Sequence, residues 1–483
     1  MQTALGLSVP PPRVRALEDG TESARVGESY QTPPCRKKRY TRFRIVNARI
    51  TPALRLMSKS EQLPVDAATF EEWNRAPYPL RVRGGVQHYA WGNTDVIPEL
   101  LGQANPKHEP FAELWLGAHP DLPAHATIGS GEIALNRLMG AAGPVLLGER
   151  AFERFDGAFP FLMKILSATK PLSIQAHPNT EQAESGFARD NHSGLDLDDP
   201  KRSYKDDKHK PELISALEDF YALRGFRPLD EVDRTVHDIP ELSDLVADRT
   251  LTHDGMVKLY VKLMQLPQLE VNRRLIPLMQ RLRTANENRK FGKADPEYWA
   301  IRADDEFSRD DVKDRGLFSV FLLNLVRLRP GQAMYLPAGE PHSYLEGTGV
   351  EIMANSNNVL RGGLTPKRVD VEELLSVLTF KCGKPTVLEL ESDRGSDTRT
   401  RYLTPALEFE LSRVQLNSGE SDAAGGTRGV QLGIVLDGKL TLNSRGGSNL
   451  DLERGQSFLI PYGIPYLMSA RETATIFVGS GPG

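Results

Sequence analysis

The hydrophobic pattern of this chain changes its period twice. Up to residue 227, short runs rich in β-branched and aromatic side chains are separated by glycine and proline, a pattern typical of strands. Residues 228–313 instead place apolar side chains at three- and four-residue steps, as in Leu275, Leu278 and Leu282, which predicts amphipathic helices. The strand pattern then returns and continues to the end. The chain is therefore predicted to be mainly β, with a helical insertion.

These changes of period divide the chain into segments of different character. Charge and composition set apart an N-terminal extension, and the helical stretch interrupts the first β domain. The predicted segments are a disordered or targeting extension at 1–75, a discontinuous β domain at 76–227 and 314–385, a helical insertion domain at 228–313, and a second β domain at 386–483.

Two stretches of the β regions resemble each other. One, "GQAMYLPAGEPHSYL", begins at Gly331, and the other, "GQSFLIPYGIPYLMS", begins at Gly455. Each has Gly-Gln, an apolar pair and then a proline close to the next predicted strand. Two related barrel or jelly-roll domains would explain this similarity.

Composition excludes several classes of function. The net charge of −4 over 483 residues gives no sign of nucleic-acid binding. No run approaches the roughly 18 consecutive apolar residues that a membrane helix needs. Cys35 and Cys382 are too few for a disulfide framework and are typical of a reducing compartment. The sequence therefore predicts a cytoplasmic protein that has neither nucleic acid nor a membrane as a partner.

The first 60 residues differ in charge from the rest of the chain. They contain 12 Lys and Arg against 4 Asp and Glu, a net charge of +8 that leaves −12 for the remainder. This segment has little hydrophobic periodicity, so we interpret it as disordered or weakly structured. Organelle targeting by it stays open, although acids such as Glu18 and Asp19 argue against a transit peptide. Met57 is an alternative start.

The stretch "PLSIQAHPNT" at 171–180 carries polar side chains at alternate positions. Ser173, Gln175 and His177 are separated from one another by apolar residues. Because successive side chains of a strand point to opposite faces, these polar groups are expected to share one face. A solvent-facing strand usually carries Thr, Lys or Glu, so a hydroxyl, an amide and an imidazole together indicate a site.

Three further stretches carry chemical groups of the same kind. In one of these stretches, His342 and Tyr344 are two positions apart and so are expected to share a strand face. The candidate residues are His209, Lys210 and Glu212 in "KHKPE", His342 and Tyr344 in "PAGEPHSYLEG", and Glu351, Arg361 and Lys367 in "VEIMANSNNVLRGGLTPK".

These residue types are suited to holding a divalent metal. Two imidazoles and a carboxylate are common ligands, and the Gln175 amide oxygen would add a fourth donor without charge. Imidazole and oxygen suit Zn²⁺, while ligand type does not exclude Mn²⁺, Fe²⁺ or Co²⁺. Taken singly, each residue also has a structural interpretation, since a lone histidine is more often structural than a ligand. Spacing alone does not join Gln175, Glu212 and His342.

Several long motifs, in the same order, resemble the type I mannose-6-phosphate isomerase (phosphomannose isomerase) family. The resemblance is strong over residues 76–385 and weaker beyond. Family members often have Asn where this chain has Lys208, a departure outside the expected ligand set. The motifs include "YAWG" at 89–92, "PFLMKILSATKPLSIQAHP" at 160–178, "DDKHKPE" at 206–212 and "YLPAGEPHSYLEGTGVEIMANSNNVLRGGLTPK" at 335–367.

The resemblance implies a fold, a cofactor and a reaction. The expected fold is a cupin-type jelly-roll catalytic domain with a helical insertion domain and a C-terminal jelly-roll domain. The expected reaction interconverts D-mannose 6-phosphate and D-fructose 6-phosphate through a cis-enediol, which would feed mannose activation and GDP-mannose precursor supply. The partner is then a small sugar phosphate, and the protein is expected to be a monomer. One Zn²⁺ per chain would be held by Gln175, His177, Glu212 and His342.

The implied reaction needs an electrophile, a proton carrier and a cationic pocket for phosphate. Arg361 matches the residue usually named as essential in the family, and its planar paired donors suit either the enediolate or the phosphate. Lys210 and Lys367 are further cationic candidates, and Lys164 is a weaker one. These cations would complement the negative charge of the substrate.

The sequence leaves the base undecided. Glu351, His209 and Tyr344 are candidates, and Glu351 has the right chemistry if burial raises its pKa. A buried carboxylate paired with Lys or Arg is the structural alternative for Glu351. Trp91 and Ser173 are expected to contact substrate, although core packing is an equal alternative for Trp91.

Two other classes of function compete with the isomerase. A non-catalytic sugar-phosphate-binding cupin predicts a broken ligand set or a missing arginine, and neither is found here. The cupin fold also hosts iron-dependent redox enzymes, because a fold does not fix a function. The long match that ends in "LRGGLTPK" disfavours the redox alternative.

Overall fold

A computed structural model gives the architecture of most of the chain. Among the described residues, none of the helices is both long and apolar enough to cross a bilayer. The expectations for residues 1–63 lie outside the described part of the chain. The described ranges are 64–246, 250–309, 311–393, 396–445 and 449–482.

The packed part of the chain begins inside the predicted extension, 1–75. Helix α1 (Ala67–Arg75) starts after Asp66, whose carboxylate caps it by accepting a hydrogen bond from an amide of the first turn. Phe70 and Trp73 of this helix are buried in the main hydrophobic core. Residues 67–75 of the predicted extension are therefore packed into the core, and two aromatic side chains in one short helix give little periodicity to detect.

Strands dominate the chain up to residue 227, as the sequence predicted. Turns that contain glycine or proline separate many of them. The elements of this part are β1 (Leu80–Arg83), β2 (Gly85–Gln87), α2 (Val96–Leu100), β3 (Glu113–Gly117), β4 (His125–Ile128), β5 (Gly131–Ala134), α3 (Leu135–Leu147), α4 (Glu149–Arg154), β6 (Phe161–Ala168), β7 (Ile174–Ala176), α5 (Thr180–His192), β8 (Glu212–Ala216) and β9 (Phe220–Phe226).

The next part is helical, which confirms the interpretation of the apolar periodicity. Leu275, Leu278 and Leu282 lie on the buried face of the longest of these helices, and Pro277 lies inside it. This face packs in one cluster with apolar residues of the neighbouring strands. The elements are α6 (Leu229–Asp238), a 3₁₀ turn (Ser243–Leu245), α7 (His253–Gln265), α8 (Gln268–Arg289) and α9 (Pro296–Phe307).

Strands return after this insertion and continue to the C-terminus. One short helix, in the stretch "DVEELLSVL", lies among these late strands. The elements are α10 (Leu317–Leu322), β10 (Leu323–Leu328), β11 (Ala333–Leu336), β12 (His342–Ala354), β13 (Leu360–Gly363), α11 (Val371–Val377), β14 (Glu391–Ser392), β15 (Arg399–Arg401), β16 (Glu410–Leu416), β17 (Ser421–Ala424), β18 (Gln431–Asp437), β19 (Lys439–Ser444), β20 (Leu450–Glu453), β21 (Ser457–Ile460), β22 (Tyr466–Ala470) and β23 (Ala474–Ser480).

A nine-stranded sheet joins early and late parts of the chain, in the order β14-β15-β16-β23-β18-β21-β1-β4-β5. Strand β1 is antiparallel to β21, and Leu80 lies opposite Leu459. Strands from before the insertion therefore share a sheet with strands from the predicted second β domain, and a boundary at residue 386 cuts across their pairing. A hydrophobic pattern predicts strands but not their partners. The division into domains stays a prediction.

A ten-stranded sheet, with the main order β10-β9-β12-β6-β3-β2, carries the candidate site. Strand β12 is the central strand of this sheet, because it pairs with β6, β7, β8 and β9. Strand β8 also pairs with β11, and β7 also pairs with β13. The ends of β7, β8, β12 and β13 are thereby brought together at one place.

Apolar side chains hold these sheets together. Ile165 and Ile352 of the ten-stranded sheet share one buried cluster with Leu432 and Phe477 of the nine-stranded sheet. A third sheet, in the order β17-β22-β19-β20, packs on the late strands of the nine-stranded sheet through a cluster that includes Val414 and Met468. The predicted class, mainly β with jelly-roll regions and a helical insertion, is confirmed.

Candidate metal centre and active site

Strand β7 turns its polar side chains to a cavity and its apolar side chains to the core. Ile174 and Ala176 are buried in the cluster shared with the helical insertion. Ser173 and Gln175 line the cavity on the other side. The strand is shorter than the sequence suggested, since Ser173 precedes it and His177 follows it, but the predicted alternation holds.

Three predicted ligands meet at one buried point. One ligand atom from each of His177, Glu212 and His342 lies within 4.8 Å of the other two. Nε2 of His177 is 3.3 Å from Oε1 of Glu212, and Nε2 of His342 is 3.4 Å from Oε2. All three side chains are at most 2% exposed. The pairing of the strands brings these side chains together. Strand β8 lies between β11 and β12, and Glu212 is opposite a residue of each.

Hydrogen bonds fix the tautomers of both imidazoles. Nδ1 of His177 is 2.7 Å from the carbonyl oxygen of Asn358, and Nδ1 of His342 is 2.9 Å from that of Glu340. A carbonyl only accepts, so each Nδ1 carries the proton and each Nε2 presents a lone pair. Metal-bound histidines commonly donate their other ring N–H in this way, which orients the ring toward the ion.

The free atoms of this cluster are acceptors that face one another. Nε2 of His177, Nε2 of His342 and Oε2 of Glu212 are buried without a hydrogen-bond partner among the described residues. Buried polar atoms are normally satisfied, and an unmade hydrogen bond there costs about 1–3 kcal/mol. A cation between the three atoms would satisfy all of them. The residues therefore fit a divalent metal of the kind that binds nitrogen and oxygen.

The charges of the cluster also suit a cation. Burial, opposed in part by Glu212, lowers the pKa of His177 to about 4, so the imidazole is neutral at pH 7. Burial raises the pKa of Glu212, but the Lys210 ammonium, 2.9 Å away, and the imidazoles outweigh it and hold that pKa well below its usual range. The cluster thus offers two imidazole nitrogens and one carboxylate.

The cluster borders a cavity of about 1140 Å³. Gln175 lies on β7 and pairs with His342, the first residue of β12. Its side chain therefore lies beside the cluster. His177 and His342 are fully buried behind the cavity wall. The predicted site residues that line the cavity are Trp91, Ser173, Gln175, Lys210, Glu212, Tyr344, Glu351, Arg361 and Lys367.

His209 is the predicted candidate that the structure places away from the others. It is not among the residues that line the cavity. Its Nε2 lies 2.7 Å from Oε1 of Glu408, which precedes β16. The pair ties the segment before β8 to the late strands and holds His209 outside the cavity lining.

A buried chain of charges crosses the floor of the cavity. Nζ of Lys164 lies 3.3 Å from Oε1 of Glu113 and 3.0 Å from Oε2 of Glu351. The Tyr344 hydroxyl donates to Oε1 of Glu351 (2.8 Å), and the Trp115 indole donates to Oε2 of Glu113 (2.7 Å). All five residues come from β3, β6 and β12, where Lys164 is opposite both Trp115 and Glu351.

Burial adjusts the acidity of this chain of groups. It raises the pKa of Glu351, an effect that the Lys164 ammonium opposes in part. Burial, with Glu351, also raises the pKa of Tyr344 well above its usual value, so this hydroxyl stays protonated. Burial lowers the pKa of Lys164, but Glu113 and Glu351 together raise it above its usual value and keep the ammonium charged.

Two cations near the rim have no carboxylate partner in the part of the chain that the structure describes. Arg361 follows Leu360 on β13 and pairs with Gln175, and Lys367 lies a few residues further along. Among the described residues, neither side chain is in an ion pair with a carboxylate. Burial lowers the pKa of Arg361, and burial together with Arg361 lowers that of Lys367. Such a pair is suited to an anionic group such as a phosphate.

Comparison with known proteins identifies the family. Residues 80–229 match the model of the phosphomannose isomerase type I catalytic domain. The chain is 36% identical over 379 residues to the mannose-6-phosphate isomerase of Escherichia coli (strain K12), an alignment that covers 78% of this chain and 93% of that protein. The chain belongs to the type I phosphomannose isomerase family.

Other members of this isomerase family are also similar to the chain in sequence and structure. Mannose-6-phosphate isomerase 2 of Arabidopsis thaliana is 34% identical over 410 residues, covering 79% of this chain and 88% of that protein. A crystal structure of the Salmonella typhimurium mannose 6-phosphate isomerase, described as bound to substrate and zinc, superposes with a TM-score of 0.74 at 31% identity. It covers 84% of this chain and 100% of that chain.

Sequence reasoning missed part of what surrounds this isomerase site. It gave Lys164 little weight and did not include Glu113, whereas both lie in the buried chain that holds Glu351. It did not include Glu408, which holds His209. Glu113 and Trp115 at alternate positions of one strand were the available signal, and only the register of three strands turns them into partners of Lys164.

Proposed function

We propose that this protein is a zinc-dependent isomerase that interconverts D-mannose 6-phosphate and D-fructose 6-phosphate through a cis-enediol. One observation carries the proposal: two imidazole nitrogens and a carboxylate oxygen, buried and without hydrogen-bond partners among the described residues, face one another beside a large cavity. Membership of the phosphomannose isomerase family supports the substrate. The Salmonella typhimurium relative, described as bound to substrate and zinc, supports both substrate and metal.

We propose that His177, Glu212 and His342 hold the metal, with Gln175 as the fourth donor. The fixed tautomers present both Nε2 atoms, and the Gln175 amide adds a ligand without adding charge. When bound, zinc would supply a Lewis acid for the substrate oxygens on C1 and C2. Lys210, in contact with Glu212, sets the charge of that carboxylate and faces the same cavity.

We assign proton transfer between C1 and C2 to Glu351. Its carboxylate lines the cavity, and its raised pKa brings it closer to the neutral range in which a general base works best. The other candidates are less suited: Tyr344 stays protonated, and His209 is held by Glu408 outside the cavity lining. Tyr344 and Lys164 keep both oxygens of Glu351 oriented.

Arg361 and Lys367 complement the negative charge of the substrate. Their lack of a carboxylate partner among the described residues leaves both cations available to an anion. Arg361, next to Gln175 across the β7–β13 pair, is near enough to the metal ligands to steady the enediolate. Lys367 lies nearer the rim and suits the phosphate.

Other residues of the cavity lining provide contacts for the sugar. Trp91 stacks on Tyr89 with ring centroids 5.6 Å apart, and both line the cavity. Apolar ring faces of this kind pack against C–H groups of a sugar chain. Ser173 offers a hydroxyl to a substrate oxygen from the segment before β7.

A coupled assay for fructose 6-phosphate, run with and without chelator on protein of known metal content, tests this function. We expect turnover with mannose 6-phosphate that a chelator removes and added Zn²⁺ restores. Binding of the sugar phosphate without turnover would instead identify a non-catalytic cupin. Oxygen consumption that depends on iron would identify a redox enzyme.

We also propose that the protein is a monomer in the cytoplasm that supplies precursor for GDP-mannose. The near-balanced charge and the two cysteines support a reducing compartment. Light scattering of the purified chain tests the monomer, and microscopy of a tagged chain tests the compartment. A dimer mass or an organelle pattern would contradict the respective statement.

A further inference from the structure

The two similar stretches of sequence fold in the same way. Strands β11 and β12 are joined by a five-residue loop that ends just before His342, and β21 and β22 are joined by a five-residue loop that ends just before Tyr466. The central residues of these loops, Gly339 and Gly463, have φ angles of +75° and +76°. Tyr466 therefore occupies in the second jelly roll the place that His342 occupies in the first.

The strand register extends this equivalence to a second ligand. Leu336, the last residue of β11, pairs with Glu212, the first residue of β8. Ile460, the last residue of β21, pairs with Gln431, the first residue of β18. Gln431 therefore stands where Glu212 stands in the metal cluster.

The remaining ligand positions can be matched in the same manner. The first residue of β12 pairs with Gln175, and the first residue of β22 pairs with Ala424. His177 lies two residues beyond Gln175, and Gly426 lies two residues beyond Ala424. The second jelly roll thus replaces an amide and an imidazole by two residues that have almost no side chain.

These four equivalent positions surround one cavity. Ala424, Gly426, Gln431 and Tyr466 all line a cavity of about 760 Å³ that lies apart from the isomerase site. Ala and Gly remove the volume that metal ligands fill in the first jelly roll. The volume is in the range of small-molecule sites, about 300–1,000 Å³.

A fixed cation is present in this second cavity. Arg399 is 8% exposed, and its Nη2 donates to Oδ2 of Asp422 (2.7 Å) and to the Tyr466 hydroxyl (2.8 Å). Its Nη1 and Nε atoms have no hydrogen-bond acceptor among the described residues. A guanidinium therefore lies at the site equivalent to the metal cluster, with donors left for a ligand.

The cavity also holds an acceptor that is left unpaired. Oε1 of Gln431 is buried and has no hydrogen-bond partner among the described residues. Buried polar atoms are normally satisfied, so this oxygen is suited to accept a hydrogen bond from a ligand hydroxyl. Gln431 therefore resembles Glu212 in a second respect, since each has one buried side-chain oxygen without a hydrogen-bond partner among the described residues.

The cavity has an excess of positive charge. Arg399 is paired with Asp422, and Arg401 with Glu410 and Asp393. Arg154 and Arg428 are exposed, and neither is in an ion pair with a described carboxylate. The four arginines and three carboxylates that line the cavity are Arg154, Arg399, Arg401, Arg428, Asp393, Glu410 and Asp422.

We propose that this cavity is a second, metal-free ligand site that binds a phosphorylated sugar or sugar alcohol. The cations at the rim, Arg154 and Arg428, suit the phosphate, because an arginine presents paired donors to its oxygens. The buried end offers Arg399, Gln431 and the Tyr466 hydroxyl to the hydroxyl groups of the ligand. Binding at this site requires neither zinc nor turnover, so it does not depend on the proposed isomerase activity.

Titration calorimetry of the full chain with glucitol 6-phosphate tests the proposal. This probe has a phosphate and a chain of hydroxyls but no carbonyl, so it cannot be isomerised. We expect two equivalents per chain in the wild type and one in an Arg361→Ala variant, whose isomerase site is weakened. Adding the paired replacement Arg399→Met with Asp422→Leu should remove the remaining equivalent, and pairing avoids an isolated buried charge.

A surface variant tests the same site without changing a buried residue, so it does not depend on correct folding of the paired replacement. Arg428→Ser should weaken the second equivalent about tenfold, as expected for the loss of one charge-assisted contact. The matched control Arg445→Ser removes an exposed arginine of the same jelly roll that does not line the cavity, and it should leave both equivalents intact. Isomerase kcat/KM should be unchanged in Arg428→Ser and Arg445→Ser.

Two results would overturn the proposal. The first is a single equivalent in the wild type that Arg361→Ala removes, with no further heat up to millimolar probe. The second is a second equivalent that persists unchanged in both Arg428→Ser and the paired replacement. A failed isomerase assay of the wild type would contradict the proposed function instead, and it would leave the second equivalent to be counted separately.

Discussion

The two jelly rolls differ in the hydrogen bonding of the buried polar groups at equivalent positions. In the first, His342 and Glu212 present buried atoms that have no hydrogen-bond partner among the described residues. In the second, the Tyr466 hydroxyl lies within a bonded group, because Arg399 donates to it. The loop before each residue has the same length and a central glycine with almost the same φ.

This difference separates the candidate metal site from a stabilised cavity. Unsatisfied buried atoms are costly, so a site that keeps three of them around one point needs something to bind there. A bonded cluster of Arg, Asp and Tyr meets most of its own requirements and can persist without a metal. The same backbone can therefore support metal chemistry or metal-free binding, and the side chains at a few register positions decide which.

The largest expected effect comes from removing one of the unsatisfied atoms. His342→Ala should lose zinc and lower kcat by about 1,000-fold or more, because the loss of fixed stabilisation of the oxyanion is worth roughly 4 kcal/mol or more. Metal analysis and the coupled assay on the same sample measure both quantities. Full zinc occupancy in this variant would contradict the assignment of His342 as a ligand.

The matched control changes the equivalent position of the other jelly roll. Tyr466→Phe keeps the ring and removes only the hydroxyl, so zinc content and kcat should equal those of the wild type. A loss of zinc in this variant would show that the two regions are not independent. The two jelly rolls could then not be compared as separate sites.

The next effect concerns the proton carrier. Glu351→Gln keeps the shape and the hydrogen-bonding ability of the side chain but removes its basicity, and kcat should fall by about 10²–10⁴-fold. Zinc content should stay at the wild-type value, because Glu351 contacts Lys164 and Tyr344 rather than a ligand. Turnover close to the wild type would remove Glu351 from proton transfer.

Arg361→Ala tests the unpaired cation. It should keep the metal and lower kcat by about 100- to 1,000-fold, the effect of losing one fixed donor to a developing oxyanion. Arg361→Lys restores the charge without the planar pair of donors, so it should recover only part of the rate. Near-wild-type turnover in Arg361→Ala would exclude this residue from the chemistry.

Much of the first jelly roll could be predicted from residue types and their spacing. The alternation around Gln175 indicated a polar face, and the periodicity of Leu275, Leu278 and Leu282 indicated helices, because both signals are local. The meeting of His177 with Glu212 is not local. It depends on β8 inserting between β11 and β12. The family resemblance implied the shared ligand set, whereas spacing alone did not.

The second jelly roll was harder to predict for the same reason. Its similarity to the first was visible in "GQSFLIPYGIPYLMS", but the equivalence of Gln431 with Glu212 needs the register of β18 and β21. Arg399 carries no local signal, since it is one arginine among many in a polar segment. The pairing of Leu80 with Leu459 likewise joins residues that no sequence pattern connects.

A smaller effect appears in the pH dependence of the isomerase. As the proposed base, Glu351 acts only when ionised, so activity is expected to fall as pH falls through its pKa, which burial raises. Lys164 opposes that rise, and Lys164→Met should therefore move the acid limb of kcat upward by about one pH unit. The control Lys170→Met removes a more exposed lysine paired with Glu306 and should leave the limb in place. A limb that moves downward would contradict the assignment.

The smallest effect is on stability in the second jelly roll. Tyr466→Phe removes one of two acceptors from Nη2 of Arg399, while Asp422 keeps the other bond. Hydrogen bonds to charged groups are worth about 1.5–3 kcal/mol, so Tm should fall by a few degrees at most. Tyr462→Phe, at an exposed ring in the preceding loop, should leave Tm unchanged. An equal Tm for both variants would mean that the hydroxyl of Tyr466 does not stabilise the fold.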